Sequence, residues 1–126
     1  MPRLPAEWEP HDAVLFAWPD DETDWAGNLH AAQATYLGIF QQLLMHCSVI
    51  LAIRPKHLPA LNATLQDLFS TCTHTLQCIA IETDDTWARD FGPIYTHDDE
   101  GARLLNFTFN GWGNKYRSSR DNVIND

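Results

Sequence analysis

An α/β fold is what this sequence predicts, and three observations carry the prediction. Short apolar runs rich in strand formers recur at residues 13–18, 48–53 and 76–81. Between them lie two longer stretches whose apolar residues fall three and four apart, the period of one helix face. The resulting β-α-β-α-β order suits parallel strands joined by crossover helices.

The first run, AVLFAW at residues 13–18, reads as a buried strand that Pro19 ends. Residues 19–28 are a polar loop with Asp20, Asp21, Glu22 and Asp24 around Trp25, and the plain reading of that acidic run is a solvated turn. From Leu29 a helix carries Leu29, Ala32, Tyr36, Ile39, Phe40, Leu43 and Cys47 on one face, with Asn28 as its N-cap. SVILAI at residues 48–53 is the near-continuous apolar run of a strand covered on both faces, and Arg54 and Pro55 end it.

A second helix is signalled by Pro59 in its first turn and by Leu58, Leu61, Leu65, Leu68, Phe69 and Cys72 at helical spacing. LQCIAI at residues 76–81 supplies the third strand. Residues 93–96 and 103–109 read as a hairpin joined by the turn HDDEG, with Leu105, Phe107 and Phe109 on one apolar face. Beyond Trp112 periodicity stops, and residues 113–126 read as a polar, flexible tail with no closing element.

The 126 residues are enough for one domain with a real core. With 17 acidic against 8 basic residues the net charge is -9, which repels phosphate backbones and anionic lipid. Nucleic acid is therefore excluded as a partner, and a cationic small molecule or basic peptide fits better. No apolar run approaches the roughly 20 residues of a membrane span, and residues 1–8 lack the apolar stretch of a signal peptide. The expectation is a cytoplasmic protein without membrane association.

Cys47, Cys72 and Cys78 are odd in number and show no CxxC spacing, so they read as reduced structural thiols and not as a disulfide or zinc framework. His97-Asp98-Asp99-Glu100 has the composition of a metal cluster, but consecutive side chains point apart and Gly101 marks a turn. Neither a metal nor a cofactor is expected.

The richest stretch chemically is residues 82–93, ETDDTWARDFGP, which begins where the third strand ends. Ends of strands in α/β folds are where ligands usually bind. Glu82, Asp84, Asp85 and Asp90 supply carboxylates there beside Arg89 and Trp87. A carboxylate's two coplanar oxygens match two N–H donors along one edge of a guanidinium, and an indole face holds a flat cation or its alkyl stem. The same residues also allow a plainer reading, with Arg89 paired to Asp85 or Asp90, Gly92-Pro93 turning the chain and Trp87 packed.

PAEWEPHDAVLFAWP, then Trp25, then DDTWARDFGP and LLNFTFNGWGNKY occur in one order along the chain. Together they resemble the N-terminal part of agmatine deiminases and bacterial peptidyl-arginine deiminases. The most specific match is TrpXArgAspXGlyPro at residues 87–93, followed by Asn110-Gly111-Trp112-Gly113. The resemblance implies the pentein fold, a propeller of five small β/α modules, with residues 1–126 an incomplete deiminase domain of about two modules. It also implies hydrolysis of a guanidinium to a ureido group with release of ammonia, through attack by a Cys thiolate, a thiouronium intermediate and a His acting as acid and base.

Carried over by position, Asp90 is the catalytic carboxylate that grips the guanidinium, and Trp87 packs beside the substrate. Asp85 and Arg89 become a charged scaffold for the loop, Gly92-Pro93 turns it into the hairpin, and Trp112 packs under the site in preference to lining it. Trp18-Pro19 and Trp25 belong to a loop near the entrance. The family's nucleophilic Cys lies near the end of its chain, and its His with a second Asp in a middle module; neither region matches here. Cys47, Cys72 and Cys78 sit in apolar settings that raise a thiol's pKa, so none is the nucleophile. The function implied is a guanidine deiminase, agmatine being favoured over arginine and peptidyl-arginine, with residues 1–126 inactive alone. A non-catalytic module binding an arginine-like ligand or a protein is the alternative, and homo-oligomerisation is left open.

Overall fold

Three parallel strands, β1 (Ala13–Ala17), β2 (Ser48–Ile53) and β3 (Leu76–Ala80), make the main sheet in the order β1-β2-β3. The computed structural model describes residues 1–126, the side chain of Asp67 excepted. β2 is central, with Ala13 to Ala17 registered on Ser48 to Ala52 and Val49 to Ile53 registered on Leu76 to Ala80. That position explains its unbroken apolar run, since both faces are covered.

One face carries the helices α1 (Leu29–Leu43) and α2 (Leu58–Leu68). Val49, Leu51 and Ile53 alternate onto it and meet Phe40, Leu44 and Leu61, all nearly inaccessible to solvent. Phe16 packs edge-on to Phe40 and Tyr36 at centroid distances of 5.1 and 5.8 Å, an arrangement that adds quadrupole attraction to apolar burial. Asn28 does occupy the N-cap position of α1, but its side chain makes no capping hydrogen bond, because a 3-10 turn at Ala26–Asn28 leads into the helix. Both helices end one turn before the apolar pattern does. Leu44, Cys47, Phe69 and Cys72 still pack on the core from the turns that follow, so burial outlasts helicity.

The opposite face is lined by the small register partners Ala17 and Ala52 and is covered by Phe91 from the single turn α3 (Ala88–Phe91). Gly92 follows directly. A Cβ there would lie 2.4 Å from the Ala88 carbonyl oxygen and 3.2 Å from Leu15, so only glycine lets α3 sit this close to β1.

The expected hairpin is present as β4 (Ile94–Asp98) and β5 (Gly101–Leu105), paired antiparallel. Its turn is tighter than the sequence suggests, because Asp98 and Gly101 pair and leave only Asp99 and Glu100 outside the ladder. β5 stops at Leu105, short of Phe109, and Phe109 instead packs near Phe91 at 6.4 Å.

The tail reading needs correcting. Residues 113–126 fold back on the loops and contain a 3-10 turn at Asp121–Val123, after the short turn α4 (Gly111–Asn114). The Asn122 amide accepts from the Phe109 N–H at 2.7 Å and donates to the Phe109 carbonyl at 2.8 Å, while Asn125 donates to the Phe91 carbonyl at 2.8 Å. Polar side chains here satisfy backbone groups that have no ladder partner, a role that leaves no periodicity to read. Among the described residues, no helix is long and apolar enough to cross a membrane.

Candidate functional site

Parallel strands bring their carboxyl ends to one edge, and here a single guanidinium ties the three ends together. Arg54, 2% exposed just after β2, donates from Nε and Nη2 to the Thr83 carbonyl at 3.1 and 2.7 Å. Its Nη1 lies 3.3 Å from Asp20 Oδ1 and 2.8 Å from Glu22 Oε2. Thr83 follows β3 and Asp20 follows β1, so the segments after all three strands share this cation. Asp20 is itself buried and accepts from the Glu22 N–H at 2.8 Å. The acidic run is therefore not simply a solvated turn. Its Asp20 and Thr23 are buried, and Lys56 with Arg54 holds the Glu22 carboxyl below its ordinary range.

Asp20, Asp21 and His57 also bring three ligand-type atoms within 4.8 Å of one another. Arg54 and Lys56 already place positive charge against those two carboxylates, so the group is a balanced ion cluster and a poor metal centre.

The loop after β3 is built on carboxylates that accept backbone N–H groups. Asp121 Oδ1 accepts from Asp84 at 2.7 Å and from Asp85 at 3.3 Å. Burial, opposed by those two hydrogen bonds, pushes the Asp121 carboxyl up to about 6. Asp85 then organises the next step: Oδ1 accepts from the N–H groups of Thr86 at 2.8 Å and Asp24 at 3.3 Å, and Oδ2 accepts from the Trp87 indole at 3.2 Å. Burial raises the Asp85 carboxyl as well. Trp25 joins from the first loop, its indole donating to Thr86 Oγ1 at 2.9 Å.

These groups surround an open cavity of about 310 Å³ whose wall includes Asp24, Asp84, Asp85, Trp87, Phe109 and Trp112. Trp112 meets Trp87 edge-on at 5.8 Å and Phe109 at 5.0 Å. It is 44% exposed and lines the cavity, against the expectation that it packs beneath. The backbone explains why: Trp112 itself adopts φ 56°, in a turn where Asn110 accepts from the Gly113 N–H at 2.9 Å. A Cβ on Gly111 would come 2.2 Å from the Tyr116 carbonyl oxygen, so the motif's glycine is required by contact.

Asp85, Trp87 and Trp112 thus meet at one place, and Asp90 stands apart. It lies on α3 with an exposed side chain outside the cavity wall, its carboxylate without a hydrogen-bond partner among the described residues. Arg89 does not brace the loop as expected. It is 85% exposed by its side chain and faces Glu7 at 3.3 Å, so neither Asp85 nor Asp90 pairs with it. The bracing comes from Asp85 and Asp121. Of the thiols, Cys47 is buried, burial raises that of Cys78, and no cysteine among the described residues lines the cavity.

Sequence reasoning missed Arg54 and Asp121. A charged residue closing a strand that is covered on both faces is a usable signal for Arg54, since such a group needs buried partners. Asp121 carries no comparable mark.

Residues 3–126 match the family model of Porphyromonas-type peptidyl-arginine deiminases. The chain is 31% identical over 113 residues to the agmatine deiminase of Stutzerimonas stutzeri (strain A1501), covering 89% of this chain and 29% of that protein. It is 30% identical over 112 residues to the agmatine deiminase of Pseudomonas aeruginosa (strain LESB58), covering 88% of this chain and 29% of that protein. A solved agmatine deiminase variant from C. jejuni with substrate bound superposes on 99% of this chain and 35% of its own, at 28% identity and a TM-score of 0.82. The chain therefore spans about 29% of the length of these curated relatives. With a match over nearly its whole length, this chain belongs to the Porphyromonas-type peptidyl-arginine deiminase family.

Proposed function

We propose that this chain is the guanidinium-gripping portion of a guanidine deiminase, one that converts agmatine and water to N-carbamoylputrescine and ammonia. What supports the reading is the segment after β3: the exposed Asp90 carboxylate, outside the cavity wall but three residues from Trp87, has no hydrogen-bond partner among the described residues, and Trp87, 41% exposed, is held by Asp85 through its indole N–H. A free carboxylate can take two N–H donors of a guanidinium at once, and the indole offers the face such a cation stacks on.

In this reading a Cys thiolate adds to the guanidinium carbon, ammonia leaves with a proton from a His, and water then displaces the sulfur to give the ureido product. Residues 1–126 hold the cation for that attack, and the Cys and His come from other modules of a five-module propeller of which they form about two. Agmatine is favoured over arginine because its far end is an ammonium. The chain's net charge of -9 attracts a dication and repels an α-carboxylate.

Calorimetric titration of the chain with agmatine and, in parallel, with putrescine tests the grip. Agmatine is expected to bind at least ten times more tightly, since putrescine keeps the amine and lacks the guanidinium. Equal affinities sink the assignment.

A further inference from the structure

We propose that Asp121 is a positioning residue of the candidate site, setting through two backbone amides the place where Asp85 holds the Trp87 indole. The path is short and continuous. Asp121, 2% exposed, accepts with one oxygen from the N–H groups of Asp84 and Asp85, which open the loop beyond β3 and have no strand to pair with. Asp85, so placed, accepts from the Trp87 indole at 3.2 Å and from the Thr86 and Asp24 N–H groups.

Asp121 is able to act as an anchor because its own segment is clamped. Asn122 grips both backbone groups of Phe109, Ser118 donates to the same carbonyl at 3.1 Å, and Asn125 reaches the Phe91 carbonyl. The segment therefore links the loop to the core face that holds Phe91, with Ile124 packed beside it. Adjacent amides converging on one oxygen bind an anion more strongly than a neutral acceptor, so the charge state of Asp121 is felt in the loop. The ionisable groups around it are Asp84 and Asp85 from the loop and Arg120 from its own segment. Glu22, Asp24, Arg54, Tyr116 and Arg117 line the same cavity, and Glu82 faces Arg120. The proposal deepens the guanidine-binding reading, which gives the position of Trp87 its purpose, but the positional link holds or fails independently of that reading.

The test is an NMR titration of the labelled chain from pH 4 to 8, following the Asp84 and Asp85 amides and the Trp87 indole in wild type, Asp121→Asn and Asp121→Leu. In wild type all three signals should share one midpoint near 6. Asp121→Asn keeps an acceptor, so the loop should stay in place while the shared titration vanishes. Asp121→Leu removes the acceptor, and the Trp87 indole should shift to a solvent-bonded position while the Phe40 and Leu51 core signals stay put. A shared titration that persists in Asp121→Asn, or a Trp87 signal unmoved in a folded Asp121→Leu, overturns the proposal. If Asp121→Leu fails to fold, the wild-type and Asn titrations decide alone. Adding agmatine to the same samples separates the two claims: signals indifferent to agmatine but obedient to Asp121 reject the guanidine reading and keep the positioning role.

Discussion

Arg54 and Asp20 form an ion pair at 3.3 Å with 2% and 1% of their side chains exposed, joining the ends of β2 and β1. Arg54 also meets Glu22 at 2.8 Å and the Thr83 carbonyl at 2.7 Å, so removing it takes a cation from a buried carboxylate and a donor from a buried carbonyl at once. Arg54→Met should therefore leave the buried Asp20 side chain without this cation and the Thr83 carbonyl without its donors. The expected loss is about 3–5 kcal/mol of folding stability, read as a lower urea midpoint. A change below about 1 kcal/mol would mean that water replaces the guanidinium at little cost.

At Gly92 the constraint is steric. The added methyl of Gly92→Ala meets the Ala88 carbonyl oxygen, which is backbone and cannot swing away. Destabilisation of about 1–3 kcal/mol is expected from thermal or urea unfolding, together with displacement of α3 from β1. An Ala variant as stable as wild type would show that the approach is looser than 2.4 Å implies.

Asp121 makes stability depend on pH with a definite sign. Its folded-state carboxyl is raised from 3.8 to about 6, so the folded chain holds this proton more tightly than the unfolded chain does. The stabilisation is complete below pH 3.8 and is lost as pH rises through about 6. Asp121→Asn cannot titrate, so it should gain stability relative to wild type as pH goes from 4 to 7. Comparing urea midpoints of the two proteins at several pH values cancels the other carboxylates, and a difference that is flat with pH would contradict the assignment.

Ammonia release from agmatine by residues 1–126 alone should not exceed the protein-free rate, because none of the described cysteines faces the cavity. A colorimetric ammonia assay reads this directly. Turnover above blank would place the nucleophile among Cys47, Cys72 and Cys78 and overturn the division of labour proposed for the chain.

The parallel sheet and its two helices were legible because burial on one or both faces writes itself into the spacing of Val49, Leu51 and Ile53 and of Phe40 and Leu44. The ends of those helices were not, since Cys47 and Phe69 stay against the core after the helical hydrogen bonds stop. At the site, Asp85, Trp87 and Trp112 all stand in the sequence motifs, but the motifs did not show that Trp112 lines the cavity or that Asp90 lies outside its wall. Nor could the bracing be read there, because partners 36 and 37 residues apart, as Asp85 and Asp84 are from Asp121, follow no local rule. Arg89 shows the converse error: nearby carboxylates in the sequence suggested a pair, and the actual partner is Glu7, 82 positions away.

The claim that this chain grips a guanidinium with Asp90 is tested most directly by titrating agmatine into wild type and Asp90→Asn while following the Trp87 indole signal. Asn keeps the shape but loses the charge and one acceptor, and a hydrogen bond to a charged group contributes about 1.5–3 kcal/mol. Binding should therefore weaken by roughly 10- to 100-fold, with the circular dichroism of the two proteins identical. Agmatine affinity unchanged in a folded Asp90→Asn protein would contradict the account.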